Sequence, residues 1–398
     1  MKLKELCKIR HGFAFKGKDI IKDHATKYVL VTPGNFNIGG GFKKDKCKYF
    51  SENGDIPKDY ILKENDLIVT MTDLSVKSDT LGYSALIPKD DNSIYLHNQR
   101  IGLVHDIDES KVLKDYLYWF MRTKKYQQEV VASQSGTAIH HTSPDRILNI
   151  EIDLPSINNQ RKIVKILFDI ENKIKNNNEI NNNLHELCNN LYFELIEQLN
   201  ENNSSVYEIK DIAKCILGGT PSRAKKEYWK GNINWINSGQ VNKFRIIEAS
   251  EKITELGLNK TSTTLLPKET IVLAITGATL GQVSRLEIEA CTNQSVIGIV
   301  PNNKILNNYL YLSIINNIKD IILKQTGGAQ QHINKNDVEA HKLVIPNDYL
   351  INDFDLKVSP LLKKISSNCF ENKSLSQLRD TLLPKLMNGE IDLDNIEI

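Results

Sequence analysis

RKIVKILFDIENKIKNNNEINNNLHELCNNLYFELIEQL, running from Arg161 to Leu199, decides the fold. Ile163, Ile166, Leu167, Ile170 and Ile174 recur at steps of three and four, and Leu184, Leu187, Leu191 and Leu195 continue the pattern. That is a helical period, and no proline interrupts it. At ~1.5 Å per residue such a helix reaches ~60 Å. A stripe this narrow and this long cannot be covered by its own helix, so it needs a second helix alongside. Two asparagine runs, Asn176 to Asn178 and Asn181 to Asn183, lie in its middle. Asparagine is a poor helix former. The runs read as a joint, as a polar register device or as part of a solvated face.

The partner helix lies in the same chain. Leu361, Leu362, Ile365, Leu375, Leu378, Leu382 and Leu386 repeat the spacing, and Leu184, Leu187 and Leu191 map onto Leu375, Leu378 and Leu382 at a constant offset of 191. The sequence before each helix is duplicated as well. LKELCK (Leu3 to Lys8) matches IKDIAK (Ile209 to Lys214). VTPGNFN (Val31 to Asn37) matches INSGQVN (Ile236 to Asn242), and DLIVTMT (Asp66 to Thr72) matches TIVLAIT (Thr270 to Thr276). HNQRIGLV (His97 to Val104) matches TNQSVIGIV (Thr292 to Val300), and DYLYWFM (Asp115 to Met121) matches NYLYLSI (Asn308 to Ile314). SGTAIHHTS from Ser135 matches TGGAQQHIN from Thr326. The order is the same in both copies, and the offset falls steadily from 206 to 191. Two unrelated domains sharing generic β patterns would not do that.

Within each copy, short apolar runs bounded by Gly, Pro, Asn and Asp read as strands. One stretch reads as helix, Val112 to Val131 in the first copy and Leu306 to Leu323 in the second. The expected fold class is α+β: two similar globular α/β domains separated by two long antiparallel helices, a coiled-coil spacer, in a pseudo-twofold internal repeat. The segments are 1–156 and 204–347 for the globular domains, and 157–203 and 348–398 for the helical spacers.

Composition narrows the classes of function. The chain has 398 residues, 40% hydrophobic and 25% charged, with a formal net charge of +2. That is ordinary for a globular protein with a full core. Any nucleic-acid contact must come from local basic clusters. No apolar run is long enough to span a bilayer, and the start, MKLKELCKIR, has no apolar signal core. The six cysteines are scattered without a CxxC pair, which argues against disulfides and zinc. A cytoplasmic protein with reduced thiols is expected.

Catalytic motifs are missing. GFAFKGKD (Gly12 to Asp19) resembles a phosphate loop, but Asp19 stands where a magnesium-binding hydroxyl belongs. HELCN (His185 to Asn189) lacks the second His of a metalloprotease helix. Pro144-Asp145 with Glu151-Ile152-Asp153 lacks the Lys of a nuclease site, and the second copy has Lys335-Asn336 instead. No adjacent prolines or GxGxxG suggest a methyl-donor cradle. His140-His141 is answered in the second copy by Gln331-His332. A shared metal ligand would not change from His to Gln, whereas a hydrogen-bonding reader would.

The loops offer binding chemistry. LGGTPSRAKKEYWK (Leu217 to Lys230) joins Gly218, Gly219, Thr220 and Ser222 to Arg223, Lys225 and Lys226, and the first copy places HGFAFKGK, with Lys16 and Lys18, at the same point. Cations beside a Gly turn suit phosphate contacts, although an ordinary solvated loop looks the same. TGATLG, with Thr276 and Thr279, corresponds to TDLSVKSDTLG, with Lys77. Gln330, Gln331 and His332 answer His140 and His141, and Asn35 answers Gln240. Gln and Asn pair bidentately with adenine, and Arg and Lys with guanine. The same residues also serve as caps.

These residues together resemble the specificity subunit of a type I restriction-modification enzyme. GGTPS near the start of a domain, NQ before an apolar strand, and above all LSQLRDTLLPKLMNGEIDL (Leu375 to Leu393) carry the resemblance, which covers essentially the whole chain. His11-Gly12-Phe13-Ala14-Phe15 departs from GGTPS in the first copy, as two domains reading different sequences should. The resemblance implies a non-enzymatic subunit in which each target recognition domain reads half of a bipartite, asymmetric double-stranded DNA target. It implies that the helices set the gap and dock two methylation subunits, with Leu184, Leu187, Leu191, Leu375, Leu378, Leu382 and Leu386 forming the spacer and partner interface. S-adenosylmethionine would sit on the methylation subunits, not on this chain, and restriction subunits would join where present. The competing reading is a protein-interaction scaffold with duplicated domains and no DNA readout.

Overall fold

The computed structural model describes residues 1–21, 26–44, 47–73, 75, 77–136, 140–323 and 331–393. By packing, the chain divides into two units: Met1–Asn172 with Leu375–Ile398, and Lys173–Ser374. Each long helix therefore contributes to both units.

In the first unit, the four-stranded antiparallel sheet has the order Lys8–His11, Ile101–His105, Leu67–Thr70, Ser84–Leu86. Every residue of Leu67–Thr70 is buried, as expected of a central strand covered on both faces. A second sheet pairs Tyr28–Val31 with Ile94–His97 in parallel. The second unit repeats this plan. Its sheet runs Ala213–Leu217, Val296–Pro301, Ile271–Ala274, Val283–Arg285, again with a fully buried central strand. Its parallel pair is Trp235 with Cys291 and Ile236 with Thr292.

The single helix expected in each copy is broken in two. In the first copy it becomes Lys114–Phe120 and Lys124–Ala132, because Thr123 caps a new helix by accepting from the Tyr126 N–H. In the second copy it becomes Asn307–Asn316 and Ile318–Ile322, with Asn317 bonding back to the Ser313 carbonyl at the break.

The long helices are Ile157–Glu197 and Asp348–Met387. Ser156 caps the first by accepting from the Asn159 N–H, and Asn347 caps the second by accepting from the Leu350 N–H. Gly389, at φ 69°, closes the second in the left-handed conformation that favours glycine. The inward side chains of the first recur as a heptad: Gln160, Ile163, Leu167, Ile170, Ile174, Asn177, Asn181, Leu184, Cys188, Leu191 and Leu195. In the first unit, Ile163 and Leu167 share a core with Leu383 and Leu386. In the second, Cys188, Tyr192 and Leu195 share one with Ile351, Val358 and Ile365. Each such burial contributes about 1.5–3 kcal/mol. Within each unit the helices run antiparallel, as Arg379 to Glu171 (2.9 Å) and Asn368 to Asn181 (2.9 Å) show.

Two of the stripe leucines do not face this seam. Leu187 and Leu378, equivalent in the repeat, are 45% and 47% exposed. To keep the 3–4 spacing through the polar middle, the first seam turns to Cys188, which is fully buried, and leaves Leu187 outside. Leu386 is buried, and Leu184, Leu191 and Leu382 are partly buried against the cores. Leu375 is half-buried.

Candidate nucleic-acid interface

In each unit, one loop gathers several others around it: Asn98–Gln99–Arg100 in the first and Asn293–Gln294–Ser295 in the second. Six hydrogen bonds are the same in both. Ile101 N–H donates to the Asn98 carbonyl, and Val296 N–H to the Asn293 carbonyl. Arg100 N–H donates to Asn98 Oδ1, and Ser295 N–H to Asn293 Oδ1. Met71 N–H donates to the Arg100 carbonyl, and Ile275 N–H to the Ser295 carbonyl. Gly12 and Gly218 donate to the carbonyls of Ile101 and Val296, and Phe13 and Gly219 to those of His97 and Thr292. Thr142 and Ile333 donate to the carbonyls of Met71 and Ile275.

The glycine at this crossing is obligatory. A Cβ on Gly12 would lie 2.2 Å from the Asn98 carbonyl oxygen, and one on Gly218 would lie 2.2 Å from that of Asn293. A fixed backbone cradle thus recurs with different side chains on it. Gln99 and Arg100 are exposed in the first, and Gln294 is exposed in the second, accepting from Thr220 Oγ1 at 2.5 Å.

The same cradle collects the histidine and glutamine strap. His140 pairs with Asp73 and His141 with Thr72, whose hydroxyl lies 3.1 Å from His141 Nδ1. In the second unit Thr276 bridges to His332, and Gly277 donates to the Gln331 carbonyl. His141, Gln331 and His332 are exposed, and His140 is half-buried. Gln330 lies outside the described residues. Thr279 turns its hydroxyl onto the Thr276 carbonyl. Asp73 anchors the loop that carries the exposed Lys77. Its carboxylate accepts from Ser75 N–H, Thr80 N–H and the Thr80 hydroxyl. Burial opposes its charge, but these bonds outweigh it and hold the carboxyl below its ordinary range.

Other residues proposed from the sequence are committed inside the fold. Asn35 is fully buried. Its Oδ1 accepts from Thr32 N–H (2.8 Å), and its Nδ2 donates to the Lys43 carbonyl (3.1 Å). Gln240, its repeat equivalent, is buried too. It accepts from Ser250 Oγ (2.6 Å) and donates to the Glu248 carbonyl (3.4 Å), again eight residues on. Both are loop staples, which is why an amide recurs at this position, and neither presents an edge to a ligand. Gly218 and Gly219 spend their N–H groups on the Val296 and Thr292 carbonyls, so they offer the cradle its close approach and no anion-binding amides.

The cations are at the surface. Lys16, Lys18 and Lys226 are exposed. Lys225 Nζ donates to Tyr228 Oη at 3.1 Å. The exposed Ser222 accepts from Trp229 Nε1 through its carbonyl. Arg223 is bound at both Nη atoms by Glu251, and its guanidinium carbon stands 3.7 Å from the Trp229 ring centroid. That ion pair holds Arg223 above and Glu251 below their ordinary pKa.

Sequence reasoning missed Gln99, Arg100 and Gln294 as site residues. The signal was present: Asn-Gln stands directly before the matching apolar strand in both copies. Among the described residues, no three His, Cys, Asp or Glu side chains are placed to hold a metal ion, and no helix is long and apolar enough to cross a membrane.

Comparisons with known proteins agree with this duplicated plan. The family model described as "Type I restriction modification DNA specificity domain" matches residues 1–186 and 201–352. The type I restriction enzyme HindI specificity subunit of Haemophilus influenzae is 23% identical, over 80% of this chain and 87% of that protein. The MjaIX specificity subunit of Methanocaldococcus jannaschii is 25% identical, over 74% and 73%. The crystal structure of a type I restriction-modification system S subunit from M. genitalium superimposes with a TM-score of 0.59 at 16% identity, covering 97% of this chain and 95% of that one. Two copies of the domain, each with its own side chains on a common loop cradle, make this chain a member of the type I restriction-modification DNA specificity family and the DNA-recognition subunit of such a system.

Proposed function

We propose that each loop cradle reads one half of a bipartite, asymmetric DNA target. The two long helices set the gap between the halves and dock two methylation subunits. The observation that carries this reading is the pair of cradles: six matched hydrogen bonds hold Gln99, Arg100 and His141 in one unit and Gln294, Gln331 and His332 in the other. One scaffold with two sets of donors and acceptors is what two different half-sites require. Exposed Lys16, Lys18, Lys77 and Lys226 supply phosphate contacts around it. Leu187 and Leu378, left outside the seam at equivalent positions, fit an apolar face for a pair of like partners.

In this reading the chain performs no chemistry and holds no cofactor. The methylation subunits carry S-adenosylmethionine and transfer to adenine, restriction subunits join where the system has them, and the assembly works in the cytoplasm. Exchanging residues 204–347 for another such domain, and mapping methylated adenines made by the assembled complex, tests the proposal. One half of the recognised sequence should change while the other half and the gap persist. A change in both halves, or in neither, contradicts it. A scaffold without DNA readout would also show no steep loss of DNA affinity with salt.

A further inference from the structure

Arg223 is held more tightly than a surface cation requires. Glu251 takes both of its Nη groups, and its guanidinium carbon stands over the Trp229 ring at 3.7 Å from the centroid and over the Trp235 ring at 5.2 Å. The two indoles meet edge to face at 5.1 Å. Trp235 in turn donates from Nε1 to the Gly219 carbonyl at 3.1 Å, so the stack is one ring away from the cradle where Thr220 meets Gln294. The side chains of Arg223 and Glu251 are 56% and 34% exposed. An ion pair that open adds little stability, so loop stability alone does not account for so much fixing.

The fixing does define a plane. The Trp229 ring holds the guanidinium on one face and the two-pronged carboxylate holds its Nη end, while Nε makes neither of these bonds. A phosphate asks only for charge, and a lysine serves it as well. A planar fork held in one orientation matches the O6 and N7 acceptors of guanine, which a point charge does not. From this geometry we infer that Arg223 reads a guanine in the half-site recognised by residues 204–347, with Trp229 and Glu251 as positioning residues. The inference rests on the DNA-reading role proposed above. It separates Arg223 from Lys226, which has the charge for a phosphate contact but no comparable shelf.

The test uses the assembled complex with its methylation subunits. Binding is competed with duplexes altered one base pair at a time across the half-site that changes when residues 204–347 are exchanged. Arg223→Lys keeps the charge and removes the fork. It should cut discrimination at one G·C position by roughly 5- to 100-fold and leave the other positions alone. Glu251→Gln should weaken discrimination at that same position by less. Lys226→Ala should lower affinity for every duplex alike. Thermal unfolding of Arg223→Lys controls for misfolding, and Glu251→Gln gives an independent reading if that variant is unstable. A uniform loss, or no loss, with Arg223→Lys overturns the inference, as does a wild-type half-site with no G·C pair. A wild-type complex without any sequence preference overturns the DNA-reading role itself, which is a different result.

Discussion

Asn368 donates from Nδ2 to Asn181 Oδ1 at 2.9 Å, and both side chains are buried in the seam between the two long helices. The internal repeat maps Asn181 onto Asn372 and Asn368 onto Asn177. Asn177 duly donates to Asn372 Oδ1, also at 2.9 Å. One contact has been made twice by duplication. One residue of each asparagine run, Asn177 and Asn181, thus belongs to a polar layer inside the seam, where such amide pairs meet in only one register, and the other four are exposed.

Replacing Asn368 with Leu should cost about 1–3 kcal/mol, because Asn181 keeps its burial and loses its partner. Replacing both with Leu should recover that loss or exceed it, since an apolar pair suits the seam. The pair then couples by more than ~0.5 kcal/mol in a double-mutant cycle followed by urea unfolding, and additive single effects would show that the two amides act independently.

Gly12 and Gly218 sit where the chain crosses the Asn-Gln loop, and in each a Cβ would lie 2.2 Å from a backbone oxygen. Neither neighbour is a flexible side chain, so the cradle must shift. Gly218→Ala should abolish recognition of one half-site and Gly12→Ala that of the other, each leaving the opposite half readable in the exchange assay. Equal damage to both halves from either change would mean that the cradles are not separate readers.

The duplication, the fold class and the pairing of the long helices were legible because they depend on periodicity and order, which survive divergence. Side-chain direction was less legible. Leu187 looks like seam and Asn181 fits either a register device or a solvated face, yet the heptad puts Leu187 outside and Asn181 inside. Asn35 and Gln240 carry base-reading chemistry, but their amides are used inside the fold. Which position fills a shared need left no trace in the sequence. Tyr118 and Tyr311 are repeat equivalents, and each receives a buried arginine at 2.5 Å, from Arg122 in one unit and from the unrelated position Arg245 in the other.

His97 shows a difference between the copies that pH should reveal. It is fully buried, and burial pushes its imidazole from 6.5 down to about 4. The folded state holds it neutral while the unfolded chain protonates near pH 6.5. The stability it confers is therefore complete above that pH and is lost as pH falls towards 4, at up to ~1.4 kcal/mol per pH unit. The second copy has Thr292 at this position. His97→Thr should flatten the fall in melting temperature between pH 7 and pH 4.5, whereas an unchanged pH profile would place the titration elsewhere.

Gln99 and Gln294 stand at the same point of the two cradles, both exposed, and among the described residues only Gln294 is tied to a neighbouring hydroxyl, that of Thr220. An amide pairs bidentately with adenine, and a good pair of this kind discriminates by about 1–3 kcal/mol. Gln99→Ala should relax one position in one half-site, and Gln294→Ala one position in the other, with the salt dependence of binding unchanged because neither residue carries charge. Thr220→Val removes the hydroxyl that holds Gln294 and should relax the same position as Gln294→Ala, with no added effect in the double variant. Competition binding with singly altered duplexes measures all three. Should Gln294→Ala instead weaken every duplex by the same factor, the loop supports the cradle and reads no base.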